Sequence, residues 1–152
     1  MDRAATIARN LDEVLTREDL DRLVASGTPI RHYIGFEISG KIHLGTGLLC
    51  MAKVKDFIDA GAQSTIFLAD WHSWINDKLG GDREVIRRIA LGYFAEGLKA
   101  SFRCVGGDPS KLNFVLGTDL YHNNDQYWAW LSDVAKITTL ARMQRSITIL
   151  GR

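Results

Sequence analysis

The chain has 152 residues, of which 46% are hydrophobic and 24% are charged. Its 19 lysine and arginine residues nearly balance its 18 aspartate and glutamate residues, so the formal net charge is +1. This balance excludes a polybasic nucleic-acid arm and an acidic tail as the main feature, and the length suffices for one domain with a buried core. Cys50 and Cys104 are too few for a disulfide framework, and the sequence contains neither a signal-peptide pattern nor a membrane-length apolar run. We therefore predict a cytoplasmic protein without membrane association.

The first thirty residues predict two helices. Apolar residues recur at helical spacing over residues 4–15, at Ile7, Leu11, Val14 and Leu15. Thr16 is followed three residues later by Asp19, a pattern similar to a capping box that opens a second short helix. The stretch 26–29, with glycine and proline, ends that helix.

The rest of the chain alternates between strands and helices. The strand candidates are residues 32–36, 65–69, 102–105 and 112–116, and the helix candidates are residues 44–60, a segment capped by Asp82, and a segment from about Asp125. The run 65–69 is continuously apolar, which suits a parallel strand covered on both faces. This alternation predicts an α/β fold with a doubly wound, mostly parallel sheet.

The densest cluster of chemically capable residues spans positions 33–47, where the first strand leads into the first long helix. Gly40, Gly45 and Gly47 would let a phosphate approach the backbone, and a helix N-terminus favours an anion. His43 and Thr46 are three residues apart, so both can face one ligand. The segment matches neither a Walker loop nor G-x-G-x-x-G, and a glycine-rich turn of this kind also occurs purely for packing.

Residues 69–78 form a second cluster, at the end of the second strand. Asp70 and His72 would lie at the same sheet edge as the first cluster, although an N-cap and a structural histidine explain them equally well. Trp71 and Trp74 are interpreted as packing residues. The segment 117–120 follows another strand and is readable as a simple turn. No ligand spacing supports a metal site, and neither cysteine is placed as a nucleophile.

The C-terminal end differs in charge from the rest of the chain. Residues 136–152 contain no acidic residue, and their basic residues are Lys136, Arg142, Arg145 and Arg152. Such a segment is either a basic contact surface or part of something longer.

The segment from Tyr33 to Gly47, the stretch 67–74 and the stretch 138–146 together resemble tyrosyl-tRNA synthetases of the archaeal and eukaryotic type, which are class I aminoacyl-tRNA synthetases. The resemblance runs from about residue 5 to the end. It implies a Rossmann-like catalytic domain that activates L-tyrosine with ATP and Mg²⁺, without a metal held by the protein. The tyrosyl group is then transferred to tRNA(Tyr), and the full-length protein is expected to form a homodimer.

The resemblance also assigns roles to residues. His43 and Thr46 fall on the catalytic H-x-G-H signature. The residues implied to bind ATP are Glu37, Ser39, Gly40, Lys41, His43, Gly45 and Thr46. Those implied to bind tyrosine are Tyr33, Gly35, Glu37, Asp70 and His72, with a buried Tyr33 hydroxyl facing the substrate phenol. Lys136, Arg142 and Arg145 are expected to contact tRNA or a partner subunit.

Two substitutions depart from the family pattern. Thr46 replaces the second histidine of the signature, and Ile38 replaces the usual proline of the loop. The K-M-S-K-S loop and the anticodon-binding part do not occur in the 152 residues, so we expect a fragment. Its predicted parts are an N-terminal helical segment (1–30), the first half of the ATP-binding domain (31–118) and a truncated connective insertion (119–152).

Three other functions remain open at this stage. One is a tryptophanyl-tRNA synthetase fragment, which shares fold and signature, although the sequence around Tyr33 favours tyrosine. Another is a non-catalytic module that binds RNA or dimerises through its basic end. The third is a nucleotidylyltransferase, against which the absence of a second histidine counts.

Overall fold

A computed structural model describes the backbone of residues 2–149 and the side chains of residues 2–145. The strands are β1 (Arg31–Phe36), β2 (Gln63–Leu68) and β3 (Asn113–Leu116). The α-helices are α1 (Arg3–Ala8), α2 (Arg17–Ala25), α3 (Cys50–Asp59), α4 (Asp70–Ile75), α5 (Arg83–Ile89), α6 (Ala95–Cys104), α7 (Gly117–Tyr121), α8 (Asp125–Ile137) and α9 (Leu140–Ile149). Two π-helical segments, Gly45–Leu49 and Ala90–Phe94, lead directly into α3 and α6. Short 3₁₀ turns lie at Lys78–Gly81 and Pro109–Lys111.

The sheet has the order β1-β2-β3, and both pairings are parallel. Arg31 pairs with Gln63 at one end of the β1–β2 ladder, and Phe36 pairs with Leu68 at the other. The predicted parallel sheet is therefore confirmed. Because parallel strands share one carboxyl edge, the segments that follow Phe36 and Leu68 begin side by side.

The core forms where helices cover one face of this sheet. Fully buried side chains of the strands meet those of the helices there, among them Ile66, Leu68, Met51, Val54, Leu98 and Phe102. Along β1 the burial alternates, because Phe36 is buried while Tyr33 and Gly35, on the opposite face, are exposed. A single covered face thus supplies most of the apolar burial that stabilises the sheet.

The strand predicted at residues 102–105 is wrong, since these residues continue and end α6. Leu98 and Phe102 are four residues apart and both are fully buried, which is the spacing of one helical face. The ring of Phe102 packs so closely on Gly107 that a Cβ atom there would lie 2.4 Å from it. The tight turn after the helix therefore depends on glycine.

The N-terminal helices differ from the prediction in length. α1 ends at Ala8, because Asn10 takes a left-handed conformation with φ 57°. The leucine predicted to close that helix, Leu15, is 83% exposed. The predicted helix start at Thr16 is confirmed, since Thr16 Oγ1 accepts a hydrogen bond from the backbone N–H of Asp19 as the N-cap of α2. The Asp19 carboxylate accepts from the Thr16 hydroxyl, so the reciprocal bond of a full capping box is not among the described contacts.

A charged network fastens α1 to α3. The Arg9 guanidinium pairs with the Asp56 carboxylate, and Lys53 Nζ donates to the Arg9 carbonyl at 2.7 Å. Burial raises the pKa of Asp56, but the hydrogen bond from Arg9 and the charge of Lys53 outweigh burial and hold that pKa below its usual value. The N-terminal segment is therefore attached by a charged contact as well as by the small apolar cluster around Ile7.

His32 gives this region a pH dependence. Its ring stacks on Phe57 with a centroid distance of 4.0 Å and lies 3.2 Å from Ser64 Oγ. Burial, together with the charge of Lys53, lowers the pKa of His32 from its ordinary value of 6.5. The neutral form is favoured in the folded state, so this stabilisation is complete above pH 6.5 and is lost as the pH falls through the lowered pKa.

We therefore expect the free energy of unfolding to decrease as the pH is lowered from 7.5 to 5, roughly across the ordinary titration range of histidine. Urea unfolding at several pH values measures this decrease. In His32→Gln, which keeps a polar partner for Ser64 but does not titrate, the decrease should be smaller. An equal pH dependence in wild type and variant would contradict the assignment to His32.

The chain divides into two compact units, Met1–Gly117 and Thr118–Arg152. In the second unit, Asn124 caps α8 by accepting from the backbone N–H of Tyr127, and Trp128 Nε1 donates to the Tyr121 carbonyl at 3.1 Å. None of the described side chains of residues 118–145 is buried. The predicted division at residues 30 and 118 stays a prediction. Within residues 2–149, no helix combines the length and apolar character needed to span a bilayer.

Candidate active site

The turn after β1 brings His43 and Thr46 into direct contact. Thr46 Oγ1 lies 2.9 Å from His43 Nε2, and the backbone N–H of Gly45 donates to His43 Nδ1 at 3.2 Å. Because Nδ1 accepts, the ring proton resides on Nε2 and is donated to the threonine hydroxyl. The two residues predicted to share one ligand thus form one hydrogen-bonded unit at the start of the π-helical segment.

His43 also acts as a side-chain cap. The backbone N–H groups of Gly45 and Thr46 both face its Nδ1, at 3.2 and 3.5 Å. These donors are the groups that a helix N-terminus offers to an anion. A phosphate that accepted from these backbone N–H groups would have to displace the His43 ring from them. A phosphate that bound to the side chains instead would contact His43 Nε2 and Thr46 Oγ1.

The loop between β1 and this turn is fastened at two points. The backbone N–H of Ile38 donates to Ser73 Oγ at 2.7 Å, and that hydroxyl donates to the Ala69 carbonyl at 2.8 Å. Both Ile38 and Ser73 are completely buried. A proline at position 38 would have no N–H to donate, so this bond depends on the departure from the family pattern.

The second fastening point is Ile42. Its backbone N–H donates to the Tyr93 hydroxyl at 3.2 Å, and its side chain fills a notch between two glycines. A Cβ atom on Gly47 or on Gly97 would lie within 2.8 Å of the Ile42 side chain. Small residues on both helices therefore let the loop pack against them. Tyr93 was not among the site residues predicted from the sequence.

Glu37 is the centre of a second polar group at the same end of the sheet. Its Oε1 accepts from Asn76 Nδ2 at 2.7 Å and lies 3.9 Å from His72 Nε2. Its Oε2 lies 3.7 Å from the Lys78 ammonium. The structure thus brings Glu37 and His72 together, as expected of strand-end residues. Asn76 and Lys78 belong to the predicted cluster 69–78 but were given no role there, although Asn76 is four residues after His72 and so shares its helix face.

The remaining predicted residues of this region are distributed differently. Asp70 is 6% exposed in the first turn of α4, whose N-cap is Ala69. Ser39, Gly40 and Lys41 lie in the exposed part of the loop. Trp71 and Trp74 pack edge to face, and the Arg83 guanidinium lies 3.7 Å from the Trp74 ring centroid, consistent with packing roles.

Tyr33 corrects one expectation. Its side chain is 77% exposed, so the predicted burial of its hydroxyl is wrong for this chain. The reason is its position, since Tyr33 and Gly35 lie on the sheet face opposite the core. Within residues 2–149, β1 pairs with β2 alone and forms the edge of the sheet. The backbone of Tyr33 is therefore held in the sheet, while its side chain is exposed to solvent.

The basic residues of the C-terminal end lie on two helices. Lys136 is in the last turn of α8, and Arg142 and Arg145 are on α9. All three are exposed. Arg152 lies outside the described residues.

The sequence matches the model of the family described as tRNA synthetases class I (W and Y) over residues 25–149. The chain belongs to this family. Its members include proteins for tryptophan (W) and for tyrosine (Y), so the family alone leaves the amino acid open. The predicted Rossmann-like α/β class is confirmed by structural similarity to solved tyrosyl-tRNA synthetases.

Two curated relatives of this class I synthetase chain are tyrosine–tRNA ligases. It is 59% identical over 141 residues to the tyrosine–tRNA ligase of Thermococcus sibiricus and 58% identical to that of Thermococcus kodakarensis. Each alignment covers 93% of this chain and 37% of the relative. The chain therefore spans little more than a third of the length of these relatives.

Solved structures agree with the sequence matches. The tyrosyl-tRNA synthetase of Pyrococcus horikoshii, complexed with L-tyrosine, aligns with a TM-score of 0.88 and 52% identity over 100% of this class I chain and 42% of that chain. The tyrosyl-tRNA synthetase of Aeropyrum pernix aligns with a TM-score of 0.81 and 41% identity over 95% of this chain and 42% of that chain. The whole described backbone thus has counterparts in solved synthetases.

Proposed function

We propose that the chain acts as the ATP-binding part of a tyrosine–tRNA ligase. In this reaction ATP and L-tyrosine give tyrosyl-adenylate and pyrophosphate, and the tyrosyl group is then transferred to tRNA(Tyr). The observation that carries the proposal is that the segments after the paired carboxyl ends of β1 and β2 carry both the hydrogen-bonded His43–Thr46 pair and the Glu37–His72 group, in a chain of the class I family. The choice of tyrosine is supported by two relatives, 59% and 58% identical to this chain, that are named as tyrosine–tRNA ligases.

The chemistry requires positioning more than a protein nucleophile. The tyrosine carboxylate attacks the α-phosphorus in line. The bond between the α-phosphorus and the oxygen that bridges it to the β-phosphate breaks, and pyrophosphate leaves with that oxygen. Negative charge grows on the phosphate oxygens in this step, and hydrogen-bond donors fixed beforehand stabilise it. His43, with its proton on Nε2, and the Thr46 hydroxyl are such donors.

We propose that the nucleotide enters as the magnesium complex of ATP. The described residues contain no group of three or more His, Cys, Asp or Glu side chains placed to hold a metal ion. In the proposal the ion therefore belongs to the substrate. The backbone around Gly40 and Gly45, with Ser39 and Lys41, supplies the surface along which the triphosphate lies.

Tyrosine would bind beside the nucleotide, along β1 and the start of α4. The proposed contacts are Tyr33, Gly35, Glu37, Asp70 and His72. A hydroxyl partner for the substrate phenol discriminates against phenylalanine, because phenylalanine would leave that partner without a hydrogen bond. Since Tyr33 is exposed in the described structure, this discrimination requires a further segment to enclose it.

Transfer to tRNA would use the basic C-terminal helices. Lys136, Arg142 and Arg145 are exposed cations, the residue type that neutralises nucleic-acid phosphates. We propose tRNA(Tyr) as the partner, a homodimer as the assembly, and the cytoplasm as the location.

Amino-acid-dependent exchange between ATP and pyrophosphate tests the activity. The assay uses the protein encoded by the full reading frame that contains this chain, with tyrosine, tryptophan and phenylalanine compared at equal concentration. We expect exchange with tyrosine at least roughly 10⁴-fold above that with phenylalanine, the discrimination typical of a pocket that pairs a hydroxyl. Exchange that prefers tryptophan would overturn the tyrosine assignment, and no exchange with any amino acid would overturn the enzymatic one.

A further inference from the structure

Asn76 links the two polar residues predicted for the tyrosine pocket. Its side-chain nitrogen donates to Glu37 Oε1 at 2.7 Å and lies 3.0 Å from His72 Nε2. A primary amide carries two N–H groups, so one nitrogen can serve both acceptors at once. Glu37 follows β1 and His72 is on α4, so the amide connects two separate elements of the fold.

This contact defines the chemical form of His72. An imidazole nitrogen that accepts a hydrogen bond carries a lone pair, and the single proton of the neutral ring is then on the other nitrogen. Acceptance at Nε2 therefore places the proton on Nδ1. His72 and His43 would thus carry opposite tautomers, because His43 accepts at Nδ1.

The amide also separates His72 from Glu37. Their nearest atoms, Nε2 and Oε1, are 3.9 Å apart, a distance at which a protonated imidazole would pair directly with the carboxylate. The Lys78 ammonium, 3.7 Å from the other carboxylate oxygen, supplies positive charge on the far side of Glu37. Asn76 donates to both groups, so one amide bridges the Glu37 carboxylate and the Nε2 atom of His72.

We propose that Asn76 is a positioning residue, which orients the Glu37 carboxylate and selects the His72 tautomer with its proton on Nδ1. The catalytic importance of this role rests on the proposed function, in which Glu37 and His72 contact the substrate tyrosine. The geometry itself does not depend on the substrate. The amide thereby determines which atoms of His72 and Glu37 are presented as donor and acceptor.

Nuclear magnetic resonance of the ¹⁵N-labelled chain tests this role directly. Long-range ¹H–¹⁵N correlation spectra distinguish the two imidazole tautomers, and a His72→Gln variant identifies the His72 signals among the four histidines. In the wild type at pH 8 we expect the Nδ1–H form of His72 to predominate. In Asn76→Ala we expect this preference to be lost. Asn113→Ala is the matched control, since Asn113 Nδ2 donates to Thr65 Oγ1 at 3.2 Å and contacts neither Glu37 nor His72 in the described hydrogen bonds.

A second variant covers the case in which Asn76→Ala fails to fold. Asn76→Asp has nearly the same shape but replaces the donor with an acceptor. It should move the His72 proton to Nε2, because the carboxylate oxygen accepts a hydrogen bond where the amide donated one. A wild-type His72 in the Nε2–H form, or a tautomer unchanged in both variants, would overturn the proposal.

The two proposals fail separately. The tautomer is measured without tyrosine or ATP, so a failed exchange assay would overturn the proposed function and leave the NMR result intact. If exchange is observed, Asn76→Ala in the full-length protein should raise the KM for tyrosine by about tenfold, with a smaller change in kcat. A loss of kcat alone would contradict a role in orienting the tyrosine pocket.

Discussion

Replacing His43 by alanine is expected to lower the rate of tyrosyl-adenylate formation by about 10²–10³-fold, the usual effect of removing one transition-state donor. His43 Nε2 and Thr46 Oγ1 form a single donor pair at the turn, so the substitution removes one donor and releases the other. Single-turnover formation of tyrosyl-adenylate by the full-length protein measures the effect. A decrease below about tenfold would show that the pair does not face the reacting phosphate.

The capping role of His43 requires a control. The imidazole accepts from the Gly45 backbone N–H, and loss of a cap costs about 0.5–2 kcal/mol of stability. His43→Asn retains a side-chain acceptor at the same position and should preserve most of that stability. If it loses activity as strongly as His43→Ala while unfolding like the wild type, the loss comes from the reacting phosphate and not from the helix start.

The second large effect concerns folding. Ser73→Ala should lower the free energy of unfolding by about 1–3 kcal/mol, because it leaves the buried N–H of Ile38 without an acceptor. Urea unfolding followed by circular dichroism measures this change. An effect below about 0.5 kcal/mol would mean that the backbone N–H finds another partner.

A double-mutant cycle separates the hydrogen bond from the packing of Ser73. Ile38→Pro introduces the proline expected from the family resemblance and removes the N–H that donates to Ser73 Oγ. In that background Ser73→Ala should cost less than in the wild type, by about 1 kcal/mol or more. Equal costs in both backgrounds would contradict the Ile38–Ser73 bond as the source of the stability.

The sequence contained enough information for the sheet and for part of the site. The run 65–69 is continuously apolar and the stretch 112–116 is mostly apolar, and short runs of this kind favour buried strands. The stretch 102–105 was misassigned because a short segment with phenylalanine and valine before two glycines has the same local appearance. In the structure Phe102 completes α6, where it shares a buried helix face with Leu98.

The site was predictable where it is local in sequence. His43 and Thr46 are three residues apart, so helical geometry alone brings them together. Glu37 and Asn76 are separated by 39 positions, and their contact exists only after β1 and α4 have packed. The exposure of Tyr33 was equally inaccessible, since alternation along a strand gives two faces without showing which one the helices cover.

The π-helical segment at Gly45–Leu49 has a consequence for comparing related genes. A π turn contains one residue more than the α turn it replaces, and each residue rotates a helix by about 100°. The extra position therefore determines the angle between Thr46 and the buried residues Met51 and Val54 that follow it. An alignment gap placed in this segment would pair Thr46 with a side chain that faces another direction. Insertions and deletions here should consequently be rarer than substitutions.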